Sequence, residues 1–215
     1  MNAKTVAVII TFAAFTIALN AIKIPAVFYP GNFFQLNQIP IVVAFLLFGF
    51  KIGTLIGVLN LMGSLTLFPL GLGGFIVYPM DFVSVLLMFA GIWLARMLIE
   101  RSGGSERNSV LKRPVLGLTA GAIALRAGIM PVIDYSVINR ILAPLILGIH
   151  RPDAVILGLV PFFILYNVIV ALYVVPIACF LAKRISRYLG KDLAFSECPR
   201  NPIASFGVEL LRRIY

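Results

Sequence analysis

The feature that most constrains this chain is a series of long apolar runs that contain no charged side chain. The longest covers residues 154–182, and another covers residues 5–22 between Lys4 and Lys23. A helix needs about 20 apolar residues to cross the hydrocarbon core of a bilayer. Hydrophobic residues make up 61% of the 215 residues and charged residues only 12%. Because this composition cannot cover a soluble protein with polar surface, the sequence predicts a multispanning membrane protein.

Breaks between the apolar runs predict an all-α polytopic membrane protein, with six transmembrane helices in one bundle. The predicted spans are 5–22, 38–50, 54–69, 76–98, 114–133 and 154–182. The loop 24–37 is aromatic and bent by proline and glycine, which is typical of an interfacial anchor or a lid. Residues 70–74 form a Gly-rich connection, and residues 100–113 form a polar loop. Residues 134–153 are predicted to be irregular, with a short apolar piece that forms a re-entrant or interfacial turn.

The distribution of basic residues predicts the orientation. If the N-terminus is cytoplasmic, fourteen Lys and Arg residues fall on the cytoplasmic side and three on the other, with Arg126 inside a span. By the positive-inside rule, both termini are then cytoplasmic in a multi-pass protein of the cell membrane. The net charge of +10 is explained by this topology and by anionic headgroups, not by nucleic acid. The predicted organisation is a transmembrane domain over 1–190 and a basic cytoplasmic tail over 191–215.

The sequence contains no recognisable catalytic or metal-binding motif. His150 is the only histidine, Cys179 and Cys198 form no CxxC pair, and HExxH and GxSxG motifs are missing. A single histidine cannot form a His-based metal site. We therefore expect a protein that is not an enzyme, without catalytic residues, a metal or a resident cofactor.

Uncharged polar side chains and aromatic residues recur toward the predicted outer ends of the spans. Apolar walls with a few placed donors and acceptors suit a small, neutral, partly aromatic ligand. The alternative is that these side chains bond neighbouring helices or form an interfacial belt. The predicted ligand contacts are Gln35, Asn37, Asn60, Tyr78, Asp81, Asn139, Tyr166 and Asn167, beneath a roof of Phe28, Phe33, Phe34 and Leu36. The wider pattern also contains Gln38, Ser64, Ser84 and Tyr173.

Small residues recur at every fourth position of the first predicted span. They are Ala3, Ala7 and Thr11, and then Ala14 and Ala18. Such spacing makes a flat face that another helix can approach closely. The sequence leaves open whether this face docks a partner helix or packs inside the same protein.

Three segments carry a resemblance to a known family. They are FFQLNQIPIVVAFLLFGFKIGTLIGVLNLMGSL at 33–65, NRILAPLILG at 139–148 and PFFILYNVIVALYVVPIACFLAKRISRYL at 161–189. With the Gly-rich stretch before the fourth span, they resemble the substrate-binding S component of energy-coupling factor (ECF) vitamin transporters. The riboflavin-specific branch is the most similar. The resemblance extends over most of residues 3–190.

The resemblance implies a six-helix protein that captures a vitamin, with riboflavin the first candidate, from outside the cell. It also implies that the first external loop acts as a lid and that the small-residue face of the first helix docks onto a transmembrane coupling subunit. That subunit connects to two cytosolic ATPase subunits. Because this chain lacks a Walker A motif, ATP would act only through these partners.

The chain departs from the riboflavin branch at four positions. Asn37 replaces an acidic residue, Asp81 an asparagine, Tyr166 a lysine and Phe163 an asparagine. Because unmatched buried polar groups set selectivity, these changes imply a different hydrogen-bond pattern for flavin or a different vitamin. Two alternatives remain open at this point, a ligand-free structural membrane subunit and a solitary small-solute facilitator.

Overall fold

The structure is a computed structural model that describes residues 3–28, 33–68, 71–101 and 115–189. The described residues are almost entirely helical. The helices are α1 (Ala3–Leu19), α2 (Gln38–Phe48), α3 (Phe50–Leu67), α4 (Gly74–Arg101), α5 (Val115–Ile133) and α6 (Asp153–Leu189). A 3₁₀ turn at Gly71–Gly73 precedes α4, within the predicted Gly-rich connection. Nearly all of the predicted polar loop 100–113 and the whole predicted tail 191–215 lie outside the described residues.

Four helices of the described chain are long and apolar enough to cross a membrane. They are Phe50–Leu67, Gly71–Ile99, Val115–Leu147 and Asp153–Arg187. The apolar helices Val6–Leu19 and Gln38–Phe48 are shorter. The 11 residues of α2 reach about 16 Å, roughly half the thickness of the hydrocarbon core. The structure thus supports a helical fold that is compatible with a membrane protein. Four of the six predicted spans correspond to helices that are long and apolar enough to cross a membrane.

The prediction of an irregular segment over 134–153 is wrong for most of its length. After α5 the chain continues into a π-helical segment, Asp134–Leu147. Gly148, with φ 66°, ends this segment and donates its N–H to the carbonyl of Pro144 at 3.1 Å. Pro144 lies inside this segment, although proline removes a backbone donor. Helices that pack against neighbours tolerate such a loss when the freed groups find other partners.

The aromatic loop 24–37 contains a short β-hairpin, so the described chain is not purely helical. Strand β1 (Ile24–Pro25) pairs antiparallel with β2 (Phe33–Phe34), and Ile24 lies opposite Phe34. Residues 29–32, between the strands, lie outside the described residues. The hairpin connects α1 to α2 and lies at the N-terminal end of α2.

The helices pack around a core to which α2 contributes strongly. Helix α5 packs against α4 and α6, and α2 packs against α3 and α6. Val42 and Ala44 of α2, Ala122 of α5 and Val170 of α6 have no measurable exposure. The short helix α2 is therefore held in place by close packing of its side chains against the neighbouring helices.

Glycines bring α4 and α5 into backbone contact. A Cβ atom on Gly91 would lie 2.7 Å from the carbonyl carbon of Gly121 and 2.8 Å from the Cα of Ala122. Those atoms belong to the backbone and cannot move aside without separating the helices. The pair therefore sets the distance between α4 and α5, and with it the position of the α5 side chains that face the interior.

Gly91→Ala is expected to lower the free energy of unfolding by about 1–3 kcal/mol, because the added methyl group forces two packed helices apart. Gly128→Ala on α5 is the matched control, because a Cβ there would meet nothing within 4 Å. The control should be neutral or slightly stabilising, since alanine favours helix by about 1 kcal/mol over glycine. Denaturant unfolding in detergent measures both variants. Equal effects at the two positions would contradict the proposed close contact.

Candidate functional site: a buried polar cluster beneath the hairpin

A guanidinium group lies at the centre of the candidate site. Arg126 of α5 is 1% exposed and donates from Nη1 to Gln38 Oε1 at 2.5 Å and from Nε to Asn167 Oδ1 at 2.9 Å. The sulfur of Met88 lies 3.3 Å from the same Nη1. Burying a charge is costly unless it is hydrogen-bonded, so these neutral acceptors from three other helices compensate part of the cost. Ionisable residues inside membrane helices are rare and mark functional sites by default.

Gln38 stands between Arg126 and a carboxylate. Its Nε2 donates to Asp81 Oδ1 and to Gln35 Oε1, while its Oε1 accepts from Arg126. Asn37 Nδ2 also donates to Asp81, with 3.2 Å to Oδ2. An amide has donors on one end and an acceptor on the other, so a single glutamine satisfies opposite charges on its two sides. The polar cluster is named here by its six members, Gln35, Asn37, Gln38, Asp81, Arg126 and Asn167.

The charges around the polar cluster nearly balance. Asp81 and Asp134 both lie within electrostatic range of the Arg126 guanidinium, and Lys23 lies within range of Asp81. Because charges in a low-dielectric interior interact far more strongly than in water, one unpaired charge here is very unfavourable. The cluster therefore favours groups that add hydrogen bonds without adding net charge.

Aromatic side chains fasten the hairpin onto α6 above the polar cluster. Tyr166 donates its hydroxyl to the carbonyl of Phe33 at 2.7 Å. The Phe34 ring lies 6.2 Å from the Tyr166 ring at an interplanar angle of 20°, and 6.0 Å from the Tyr173 ring in an edge-on arrangement. Phe28 packs on Phe34 from the other side, with ring centroids 6.1 Å apart. One backbone hydrogen bond and several ring contacts thus hold β2 in place.

A cleft of about 30 Å³ lies beside the hairpin, between it and the end of α1. Its lining includes Asn20, Phe33, Gln35, Leu36 and Asn37. This volume accommodates about one water molecule, whereas drug-sized ligands occupy sites of roughly 300–1,000 Å³. A drug-sized molecule could therefore enter at this cleft only if the hairpin moved away from α1 and α6.

Three predicted ligand contacts form hydrogen bonds away from the polar cluster. Asn60 of α3 accepts from Asn20 Nδ2 at 2.7 Å, in a group that includes Ser64 and joins α1 to α3. Tyr78 donates its hydroxyl to the carbonyl of Phe68. Asn139 donates to the carbonyl of Asp134 at 2.7 Å. These contacts match the alternative in which polar side chains bond neighbouring segments.

The remaining predicted contacts are brought together. Gln35, Asn37, Asp81 and Asn167 belong to the polar cluster, and Tyr166 lies at its roof. Sequence reasoning missed the two residues that connect them. Gln38 was part of the wider polar pattern, but nothing in the sequence shows that it bridges two charges. Arg126 was visible as a lone charge in an apolar run, which is itself a signal of function.

The small-residue face of α1 is exposed. Ala7, Thr11, Ala14 and Ala18 are all accessible, and the hydroxyl of Thr11 bonds the carbonyl of Ala7 in its own helix at 2.9 Å. The side chain of Ala3 lies outside the described part of the chain. Because the other side of α1 carries the buried Ile9, Ala13 and Thr16, the helix packs on the bundle through the face opposite to this one.

Gln38→Leu is expected to lower the free energy of unfolding by about 3 kcal/mol, because it leaves Arg126 and Asp81 without the amide that joins them. Gln38→Leu/Arg126→Met removes both polar groups and should restore part of that loss, since an apolar pair has no unmet hydrogen bond. A double-mutant cycle in detergent measures the coupling. Additive effects of the two substitutions would show that Gln38 and Arg126 do not interact.

Tyr166→Phe is expected to loosen the hairpin, because it removes the hydrogen bond to the Phe33 carbonyl while keeping the ring stack. The loss of one such bond corresponds to roughly 1 kcal/mol, or about a five-fold faster hydrogen exchange at residues 24–28 and 33–34. Tyr135→Phe, whose hydroxyl accepts from Arg140 at an exposed site, is the control. If hydrogen exchange in Tyr166→Phe were unchanged, the bond between Tyr166 and the Phe33 carbonyl would not be what holds the hairpin on α6.

The described residues contain no group of three or more His, Cys, Asp and Glu side chains that could hold a metal ion. In comparisons with known proteins, no family model, no curated protein and no solved structure matches the chain. Function is therefore inferred from the geometry of the chain itself.

Proposed function

We propose that this chain is the substrate-capture subunit of an ECF-type importer, which binds a water-soluble vitamin from outside the cell. Riboflavin is the first candidate ligand. The observation that carries the proposal is the convergence of Gln35, Asn37, Asp81 and Asn167, from three separate segments, beneath an aromatic hairpin. Apolar walls with a few converging polar groups are the usual composition of a small-molecule site.

In the proposed topology, all six helices cross the cell membrane and both termini are cytoplasmic. The support is the excess of basic residues on the side that this topology makes cytoplasmic. A short α2 is compatible with crossing if the bilayer thins locally or if α2 and the hairpin together cover the thickness. The hairpin and the polar cluster then face the external side, where a nutrient arrives.

The proposed partners are a transmembrane coupling subunit and two cytosolic ATPase subunits. The exposed small-residue face of α1 supports a close helix contact with the coupling subunit. The two ATPase subunits are those that the family resemblance implies. Because the sequence contains no Walker A motif, they would supply the ATP hydrolysis that drives uptake.

A ligand-free structural membrane subunit is the second candidate function. One observation favours it, namely that Arg126, Gln38 and Asn167 already bond one another. A cluster of this kind can serve only to specify how the helices pack. The two proposals differ in a measurable way, because only the first requires a small molecule to bind.

Mass spectrometry of protein purified under mild conditions should detect a bound vitamin near one equivalent. Asp81→Ala is expected to lower its affinity at least 10-fold, because a hydrogen bond to a charged group contributes about 1.5–3 kcal/mol. Asp153→Ala is the matched control, since that carboxylate lies at the exposed start of α6 and pairs with Arg140 at 2.7 Å. Exposed pairs contribute little.

Protein that carries no small molecule and binds none of the water-soluble vitamins would overturn the capture function and favour the structural subunit. Uptake into vesicles that contain this chain alone would instead identify a solitary facilitator, because no coupling subunit or ATPase would then be needed.

A further inference from the structure

Arg126 has more N–H donors than its described partners offer strong acceptors. A guanidinium has five N–H donors. The bonds of Arg126 go to the amide oxygens of Gln38 and Asn167 and to the sulfur of Met88, which is a weak acceptor. The carboxylate that would pair best with Arg126, that of Asp81, is instead bonded to the Nε2 of Gln38. The guanidinium is thus buried with partners that a better acceptor can replace.

A second donor lies nearby on α6. The hydroxyl oxygen of Tyr173 is buried beside the backbone of Gln35, and no described residue accepts a hydrogen bond from it. Its ring contacts Phe34 of the hairpin edge-on, and Tyr173 lies within electrostatic range of Arg126. Buried hydroxyl groups nearly always have a partner, so one without a partner indicates a missing group.

The missing group must be an acceptor, because a guanidinium can only donate and the hydroxyl proton of Tyr173 has no described acceptor. It must also be uncharged. Arg126 and Lys23 are already matched by Asp81 and Asp134, so a bound anion would add an unmatched negative charge in a low-dielectric interior. A carbonyl oxygen accepts the same hydrogen bonds and adds no net charge.

We infer that Arg126 and Tyr173 are ligand-contacting donors that select an uncharged acceptor, such as a carbonyl or carboxamide oxygen, on the captured molecule. This inference rests on the proposed function and deepens it, since it assigns the ligand a chemical feature and two contacts beyond the predicted ligand contacts. Arg126 supplies a planar pair of N–H donors, and Tyr173 supplies one O–H donor. The hairpin covers these two side chains once the ligand is bound.

Tyr173→Phe provides a test that is not confounded by folding. Because no described residue accepts a hydrogen bond from this hydroxyl, its removal should change the unfolding midpoint of the ligand-free protein little. Affinity for the bound ligand should fall about 10-fold, the value of one good hydrogen bond in a buried site. Thr54→Val is the matched control, because Thr54 Oγ1 is the other buried side-chain atom without a partner in the described chain. Thr54 lies about 9 Å along α3 from Asn60.

Arg126→Lys keeps the charge and removes the planar fork, so it should also weaken binding at least 10-fold. If this variant does not fold, the ligand affinities of Tyr173→Phe and Thr54→Val still test the role of Tyr173. Unchanged affinity in Tyr173→Phe, or an equal loss in Thr54→Val, would overturn the role of Tyr173.

Matched pairs of probes test the ligand class with the purified full-length chain. The pairs are riboflavin with its 5′-phosphate, nicotinamide with nicotinate, and biotinamide with biotin, measured by calorimetry or by quenching of flavin fluorescence. The uncharged member of the pair that fits the site should bind at least 10-fold more tightly. Tighter binding of the anionic member would overturn the inference and leave the capture function standing. Binding of no vitamin at all would overturn the capture function and this inference with it.

Discussion

The fold depends on how one buried guanidinium is accommodated. Arg126 is 1% exposed in the middle of an apolar bundle, where an unpaired charge would be prohibitively unfavourable. Three helices therefore direct groups toward it, through Gln38 of α2, Met88 of α4 and Asn167 of α6. Because these bonds are directional, they orient the helices relative to one another. Apolar packing alone is not directional and tolerates many arrangements.

The same requirement connects the interior to the hairpin. Gln38 is the first residue of α2, just after the hairpin. Its side chain accepts a hydrogen bond from Arg126 and donates to Gln35 and Asp81. Tyr166, next to Asn167 on α6, bonds the carbonyl of Phe33 in β2. A movement of the hairpin therefore disturbs the surroundings of Arg126. In the proposed function, this coupling would link the opening of the hairpin to the polar cluster.

Close helix contact is the second requirement for this geometry. Gly91 and Gly121 allow the backbones of α4 and α5 to touch, which brings Arg126 of α5 and Asp81 of α4 toward the same interior. A larger residue at either position would widen the gap and lengthen the bonds around Gln38. The polar cluster and the glycine contact are therefore parts of one arrangement, although they lie far apart in the sequence.

The sequence by itself determined the helical, membrane-compatible character of the chain, because uncharged apolar runs have few alternatives. It also predicted four members of the polar cluster, because a polar residue in an apolar run can be recognised from the sequence whatever the direction of its side chain. It did not determine which of them meet. Asn60 and Asn167 look alike in sequence, yet one bonds α1 and the other bonds Arg126. Only the tertiary structure decided this, because the direction of a polar side chain depends on how its helix is rotated against neighbours distant in the chain.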